Sequence, residues 1–247
     1  MRTSPGTRSR DVLTTTTHRF LDANALADEL AAHVSQCLLD TLQYQTHATL
    51  AVSGGRSPIA FFRNLSERAL PWHAIAVTLV DDRCVPNTHD DSNALLVRTH
   101  LLRDQAARAR FLSPIDWSGD GIAPTPEALA DQATHALSAL GGADVVVLGM
   151  GADGHTASLF PQAPQLLRGM DLQAAKGYLA MSPQTAPHER ISLNLAAILG
   201  ASHVCVAIGG GAEKHAVYEQ AQAVTSLTYP VSYVLRRSGT RPQVSVG

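Results

Sequence analysis

The sequence predicts an α/β fold, because short uncharged strands alternate with amphipathic helices along most of the chain. Residues 145–148, Val-Val-Val-Leu, form a β-branched run of the kind found in strands that are covered on both faces of a sheet. Residues 49–52 form a second such run, followed by a glycine turn and a helical pattern. With 247 residues, of which 45% are hydrophobic and 16% charged, the chain can bury a large core as one α/β domain or a closely joined pair.

Charge and hydropathy exclude several classes of protein. The formal net charge is −2 and no long basic run occurs, so the chain lacks the electrostatic signature of a nucleic-acid-binding protein. No apolar run reaches the roughly eighteen residues of a membrane span, and no apolar segment near residue 1 is typical of a secretion signal. We therefore expect a cytoplasmic protein without nucleic-acid or membrane partners.

The cysteines give no indication of a metal centre. Cys37, Cys84 and Cys205 are odd in number and far apart in sequence, which suits reduced thiols better than a disulfide framework or a zinc cluster. No metal-binding motif occurs elsewhere. We expect neither a metal ion nor another cofactor.

The N-terminal part of the chain predicts a tail and then a helix. Residues 1–10 are rich in Arg, Ser, Thr, Gly and Pro and have little to bury, which predicts a mobile tail. Residues 11–247 show no internal repeat or linker and are predicted to form a single domain. From Asp22 to about Leu42, apolar residues recur at helical spacing and predict an amphipathic helix.

The first polar turn follows the strand at residues 49–52, and a helix to about residue 68 follows the turn. The turn contains four flexible or polar residues, Ser53, Gly54, Gly55 and Arg56. Pro58 suits the first turn of the helix, whose exposed N–H groups attract an anion. Taken alone, a Gly-Gly turn is more often a plain connection between strand and helix.

A second group of charges follows a strand predicted at residues 74–80. Asp81, Asp82 and Arg83 come directly after it, and a helix is predicted to start near Ser92 and run to about residue 102. Arg83 could form paired hydrogen bonds to an oxyanion or phosphate. It could also pair with Asp81 or Asp82 and only order the turn.

The strand at residues 145–148 ends in a turn with Gly149, Gly151 and Gly154, and this turn also carries Asp153 and His155. Glycines let the backbone turn sharply and approach a ligand, and ligands in open α/β sheets collect beyond the carboxyl ends of strands. A histidine can take a proton from water and return it within one turnover. Taken alone, this histidine could equally cap a helix.

The remaining segments predict scaffold and two further cations. A helix starts at Thr125 and Pro126 and runs to about residue 140, and a strand covers residues 178–182. Arg190 precedes a short helix. A strand at residues 204–208 leads through a glycine turn into a helix to about residue 222. Lys214 lies in the first turn of that helix, against the local dipole, which indicates an anionic partner. Residues 231–235 predict a final strand.

Several of these segments together resemble the 6-phosphogluconolactonase family. Residues 149–161 match the family segment Gly-x-Gly-x-Asp-Gly-His-Thr-Ala-Ser-Leu-Phe-Pro, and residues 53–58 match its Ser-Gly-Gly-x-[Ser/Thr]-Pro loop. Residues 81–86 resemble Asp-Glu-Arg-x-Val-Pro, with Asp82 in place of the usual glutamate. Residues 190–193 match Arg-[Ile/Val]-[Ser/Thr]-Leu, and Gly211 with Lys214 fill a Gly-x-x-Lys pattern.

The resemblance implies a fold, a reaction and a site. The fold is a three-layer α/β/α sandwich around a mainly parallel, Rossmann-like central sheet. The reaction is hydrolysis of 6-phospho-D-glucono-1,5-lactone to 6-phospho-D-gluconate, the second step of the oxidative pentose phosphate pathway. His155 is expected to act as general base, oriented by Asp153. The phosphosugar is expected to contact residues from several loops, namely Ser53, Gly54, Gly55, Arg56, Asp81, Arg83, Arg190 and Lys214.

Two other functions remain open at this point. A glucosamine-6-phosphate isomerase/deaminase resembles this chain in the Ser-Gly-Gly loop and in Asp-Gly-His, but tends to continue with an Ile-Ala-Phe-Asn-Glu-like run where this chain has Thr-Ala-Ser-Leu-Phe. A non-catalytic sugar-phosphate sensor would keep the phosphate contacts and lose the base, whereas His155 is present. The expected partner is a small phosphosugar lactone, and the expected oligomeric state is a monomer or a weak homodimer.

Overall fold

The computed structural model describes residues 18–20 and 22–237 and the backbone of residues 240–245. The tail predicted for residues 1–10 lies outside this range. The α-helices of the described part are α1 (Ala23–Leu42), α2 (Ile59–Ser66), α3 (Asn93–His100), α4 (Pro126–Ser138), α5 (Leu166–Gly169), α6 (Leu195–Leu199), α7 (Ala212–Ala223) and α8 (Val231–Leu235). The strands are β1 (His18–Phe20), β2 (Ala48–Val52), β3 (Ile75–Leu79), β4 (Asp81–Arg83), β5 (Arg110–Phe111), β6 (Val145–Gly149), β7 (Tyr178–Met181), β8 (Arg190–Leu193), β9 (His203–Ile208) and β10 (Thr240–Ser245).

The larger of the two sheets has seven strands in the order β1-β10-β9-β6-β2-β3-β5, and all neighbours are parallel. Strands β2, β6 and β9 lie side by side near its middle. Because they are parallel, their carboxyl ends meet at one edge, where the three glycine-containing turns of the sequence lie. This arrangement brings segments about 50, 150 and 210 residues along the chain together.

The parallel sheet separates two hydrophobic cores, as strand β6 shows. Val145 and Val147 pack in one cluster with residues of α1, α2 and α3. Val146 and Leu148 point the opposite way and pack with residues of α4, α6, α7 and α8. Since side chains alternate across a strand, an uncharged run such as this one is required when both faces are covered. The predicted three-layer α/β/α arrangement is therefore confirmed.

Local side-chain chemistry explains where the longer helices begin. The carboxylate of Asp22 accepts hydrogen bonds from the backbone N–H groups of Asn24 and Ala25, at 2.9 and 2.8 Å, and so caps α1. Thr125 caps α4 by accepting from the N–H of Ala128 at 3.2 Å, and Pro126 occupies the first helical position. Both helix starts are as predicted.

A second, antiparallel sheet with the order β4-β8-β7 was not predicted from the sequence. It joins the end of β3, because the N–H of Leu193 donates to the carbonyl oxygen of Val80 at 2.7 Å. Strand β8 was predicted only as the segment before a short helix, and the three residues of β4 only as a charged strand end. The small sheet sets the direction of Asp81 and Arg83.

The prediction of a final strand at residues 231–235 is wrong, because Val231–Leu235 is helix α8. A short apolar run has no clear periodicity, so strand and helix look alike in such a segment. Pro230 has helical backbone angles and begins the helix, where a missing N–H leaves no hydrogen bond unmade. The last strand is instead β10.

One further prediction concerns membranes. Among the described residues, no helix is both long enough and apolar enough to span a bilayer.

Candidate active site

A cavity of about 490 Å³ lies at the carboxyl ends of β2, β6 and β9. Eight of the ten residues predicted to form the site line it, namely Ser53, Gly54, Gly55, Asp81, Arg83, His155, Arg190 and Lys214. Asp153 lies behind His155 and does not line the cavity. Arg56 is exposed on the loop and does not line it either. Five separate segments of the chain thus meet around one space.

The Ser53 loop is held to strand β6 by two hydrogen bonds. The N–H of Ser53 donates to the carbonyl oxygen of Val147 at 2.9 Å, and the Ser53 hydroxyl accepts from the N–H of Gly149 at 3.3 Å. Gly55 has a φ of +88°, a conformation that glycine adopts without strain. The backbone of this loop therefore forms part of the cavity wall, and residues 53–55 place no large side chain in front of it.

Asn93 is a site residue whose contacts the sequence did not reveal. A Cβ atom on Gly54 would lie 1.9 Å from its Oδ1 atom, so the glycine is required for the asparagine to fit. Its Nδ2 atom donates to the carbonyl oxygen of Asp81 at 2.9 Å. The available signal was the Ser-Asn pair at residues 92 and 93, which follows residues 81–86 in the family pattern and marked a helix start, but no site role was predicted for it. Asn93 thus connects the Ser53 loop to the Asp81 strand.

Asp82 caps helix α3 and does not line the cavity. Its carboxylate accepts from the N–H groups of Asn93, Ala94 and Arg83, at 2.7, 3.1 and 2.8 Å. Burial raises the pKa of Asp82 to about 6, although these three hydrogen bonds oppose the rise. The shorter acid at this position has a structural role in holding the turn.

Asp81 is buried and lines the cavity, and its carboxylate is oriented by a serine. The hydroxyl of Ser158 donates to its Oδ2 atom at 2.6 Å. Ser158 is itself held, because its backbone N–H donates to the hydroxyl of Ser192 at 3.1 Å. These two hydrogen bonds therefore fix the orientation of the Asp81 carboxylate, which is a hydrogen-bond acceptor in the cavity wall.

Two arginines enter the cavity from the small sheet. Arg83 and Arg190 are direct partners in the antiparallel pairing of β4 and β8. The Nη1 atom of Arg83 donates to the backbone oxygen of Asp91 at 2.5 Å, while the carboxylate of Asp82 accepts from its backbone N–H. The Nε atoms of both arginines are buried and have no hydrogen-bond partner in the described part of the protein. Both residues nevertheless line the cavity.

His155 and Asp153 form a close pair at the turn after β6. The Nδ1 atom of the imidazole lies 2.5 Å from Oδ1 of Asp153. Burial alone would raise the pKa of Asp153, but the hydrogen bond to His155 and the charge of that ring outweigh burial and hold the pKa below its ordinary value. The carboxylate is therefore ionised and can only accept, so Nδ1 carries the hydrogen. In the neutral ring, the Nε2 atom is then the one with a free lone pair.

Lys214 approaches the cavity from the first turn of α7. Burial lowers the pKa of its ammonium group, and the negative charge of Asp153 opposes this effect. Arg190 is more deeply buried, and burial lowers its pKa while the charge of Asp81 opposes. The two cations thus have different acidic neighbours. Lys214 is near Asp153 of the histidine turn, and Arg190 is near Asp81 of the small sheet.

Two aromatic residues complete the site, and sequence reasoning assigned neither of them. The ring of Phe160 stacks on His155, with 4.0 Å between ring centroids. Tyr229 covers the histidine turn, because a Cβ atom on Gly154 would lie 2.6 Å from its Cδ1 atom. The signal for Phe160 was its place in the family segment, whereas no local pattern indicated Tyr229.

The chain matches known proteins over most of its length. Residues 21–242 match the family model described as glucosamine-6-phosphate isomerases/6-phosphogluconolactonase. A 6-phosphogluconolactonase from Neisseria meningitidis serogroup A is 43% identical over 230 residues, which are 92% of this chain and 96% of that protein. A 6-phosphogluconolactonase from Pseudomonas aeruginosa is 47% identical over 182 residues, covering 73% of this chain and 74% of that protein.

A solved structure agrees with these sequence matches. The crystal structure of a 6-phosphogluconolactonase from Shewanella baltica OS155 superposes with a TM-score of 0.85 at 35% sequence identity, covering 95% of this chain and 99% of that one. The resemblance inferred from the sequence motifs is thereby confirmed. The chain belongs to the family of glucosamine-6-phosphate isomerases and 6-phosphogluconolactonases.

Proposed function

We propose that the protein is a 6-phosphogluconolactonase, which hydrolyses 6-phospho-D-glucono-1,5-lactone to 6-phospho-D-gluconate in the oxidative pentose phosphate pathway. The observation that carries the proposal is the His155–Asp153 pair at the wall of a cavity that three cations also line. The relatives from Neisseria meningitidis and Pseudomonas aeruginosa are both named 6-phosphogluconolactonase, which supports the proposal. Hydrolysis of a phosphorylated lactone requires a base to activate water and cations to bind the phosphate, and this cavity has both.

In the proposed mechanism, His155 activates water. With Nδ1 donating to Asp153, the Nε2 atom accepts a proton from a water molecule as the water oxygen attacks the lactone carbonyl carbon. The bond between this carbon and the ring oxygen then breaks, and the imidazolium returns the proton to the departing ring oxygen. Asp153 keeps the ring in the required tautomer throughout. A δ-lactone is already reactive, so this scheme uses neither a covalent nucleophile nor a metal ion.

The tetrahedral intermediate carries a negative oxygen that needs a donor. The amides of the glycine turn are largely engaged within the protein: Gly149 donates to Ser53, Gly151 to the oxygen of His155, and Gly154 to the oxygen of Gly151. A cation of the cavity wall is therefore the better candidate for the oxyanion. We assign the oxyanion to Arg83, because it lines the cavity beside the two cations that we assign to the phosphate.

The phosphate is assigned to the Ser53 loop together with Arg190 and Lys214. The loop presents backbone at the cavity, as glycine-rich phosphate loops do. Both cations line the same cavity, and their burial strengthens their attraction for an anion. We place Arg56 outside this contact set, because its side chain is exposed and away from the cavity.

The deaminase alternative is less well supported. Deaminases tend to have an Ile-Ala-Phe-Asn-Glu-like run after Asp-Gly-His, whereas this chain has Thr-Ala-Ser-Leu-Phe at residues 156–160. The hydroxyl of Ser158 in this run donates a hydrogen bond to Asp81. The sensor alternative is disfavoured because His155 is paired for base catalysis. A cytoplasmic location, a single domain over residues 11–247 and a monomer or weak homodimer remain part of the proposal.

The decisive experiment is a lactone hydrolysis assay corrected for the spontaneous rate. Wild-type protein should hydrolyse the phosphorylated lactone, and His155→Ala should lose about two or more orders of magnitude in turnover while binding 6-phosphogluconate almost normally. His135→Ala is a matched control, because His135 is exposed on α4 and lies outside the cavity. Normal turnover in a folded His155→Ala protein would remove the histidine from the mechanism.

A further inference from the structure

The ring of Phe160 lies against both the proposed base and one of the cavity cations. Its centroid is 4.0 Å from that of His155, and the two planes differ by 24°, which is a stacked arrangement. The guanidinium carbon of Arg190 lies 5.3 Å from the same centroid. Phe160 is only 5% exposed and does not line the cavity. Any effect it has on substrate must therefore act through its neighbours.

The imidazole of His155 is confined on its other sides as well. A Cβ atom on Gly151 would lie 2.1 Å from Nδ1 and 2.2 Å from Cε1, so the absence of a side chain there makes room for the ring. Asp153 occupies the Nδ1 edge. Asp153 therefore holds the Nδ1 edge of the ring, and Phe160 covers one of its faces.

We propose that Phe160 is a positioning residue for the base, whose ring face keeps the His155 imidazole parallel to it with Nε2 directed at the cavity. This inference rests on the proposed role of His155. Arg190 contributes by contacting the Phe160 ring, since guanidinium groups are attracted to aromatic faces. Phe160 is then a common neighbour of the hydrolytic base and of an anion-binding cation.

The first test is a double-mutant cycle on turnover. Phe160→Leu removes the flat ring and keeps an apolar side chain of similar reach, and it should lower kcat about threefold to tenfold with KM changed less than about twofold. In a His155→Ala background, the same substitution should change the residual kcat less than about twofold, because a positioning residue has nothing left to position. An equal loss in both backgrounds would overturn the proposal.

The second test does not depend on catalysis. In the ¹⁵N NMR spectrum of the imidazole groups, wild-type His155 should give one set of signals with the hydrogen on Nδ1, assigned by comparison with His155→Ala. Phe160→Leu should broaden or split these signals, since the ring can then rotate. Unchanged His155 signals in Phe160→Leu would contradict the inference even if turnover falls.

Phe62→Leu serves as the matched control for loss of a buried aromatic ring. Phe62 is fully buried in the other core and does not line the cavity. Phe62→Leu should lower the unfolding temperature about as much as Phe160→Leu does, without changing kcat or the His155 signals. Full activity of His155→Ala would refute the proposed mechanism itself, whereas normal kcat and normal signals in Phe160→Leu beside an inactive His155→Ala would refute only the role of Phe160.

Discussion

Arg83 and Arg190 face each other across the antiparallel pair of β4 and β8, and both line the same cavity. Side chains of directly opposed residues lie on one face of a sheet, and like charges in that arrangement repel. Each guanidinium also has a buried Nε atom without a partner among the described residues. Burial and the charge of Arg83 both oppose the charge of Arg190, whereas Asp81 favours it, and a bound anion would favour it further.

The first prediction follows from this pairing. Arg190→Met should leave the unliganded protein about as stable as the wild type, because it removes the burial of a cation and its repulsion by Arg83 but also its attraction to Asp81, while the apolar stem is retained. Affinity for 6-phosphogluconate should fall about tenfold to a hundredfold, the effect of losing one charge-assisted contact. Thermal unfolding with and without 6-phosphogluconate measures both. A clear loss of stability in the unliganded variant would show that Arg190 is mainly structural.

A second prediction tests whether Arg190 and Lys214 bind one phosphate. Each alanine variant should weaken 6-phosphogluconate binding about tenfold to a hundredfold, and the double-mutant cycle should show coupling of at least about 0.5 kcal/mol, because groups on a common partner are not independent. Titration calorimetry gives the four affinities. Hydrolysis of the non-phosphorylated lactone is the control and should hardly change. If both lactones lose activity equally, the two cations act on the fold or the oxyanion and the phosphate assignment must be withdrawn.

The third prediction concerns the partner of the base. Asp153→Asn should lower kcat about tenfold or more and leave KM nearly unchanged, because the amide can donate to Nδ1 and so favour the wrong tautomer of His155. Steady-state kinetics at neutral pH measures the effect. Asp171→Asn is a suitable control, since Asp171 is an exposed acid outside the cavity. A KM effect with normal kcat would indicate that Asp153 contributes to binding and not to catalysis.

The fourth prediction is a pH dependence of stability caused by Asp82. Its pKa rises from 3.8 to about 6 on folding, chiefly because the carboxylate is buried. Between these values the folded protein binds a proton that the unfolded chain has released, so this group makes the free energy of unfolding fall as the pH rises.

Asp82→Asn should abolish that contribution. The difference in unfolding free energy, wild type minus variant, should decrease as the pH rises through the window between 3.8 and about 6, and it should be constant above it. Urea unfolding at several pH values measures the difference. If it stays constant across the window or increases with pH, the carboxylate of Asp82 is not held in its protonated form by the fold.

Much of the fold could be predicted from local sequence patterns. The uncharged runs of β2, β6 and β9 and the capping residues Asp22 and Thr125 depend on neighbours close in sequence, so these elements lie where expected. The failure at Val231–Leu235 has a local cause too, since its buried Val231, Val234 and Leu235 have helical spacing that a five-residue run shows only weakly. The family segments supplied the candidate site residues, whose ligand contacts stay predictions.

The sequence by itself thus determined the α/β class, most strands and helices, and the identity of the histidine turn, because each rests on interactions within a few residues. Only the tertiary structure decided that Arg83 opposes Arg190, that Asn93 packs on Gly54, and that Tyr229 covers Gly154. The physical reason is that these pairs are separated by about 40 to 110 residues in sequence. Their contacts arise from sheet pairing and close packing of distant segments, which no local pattern encodes.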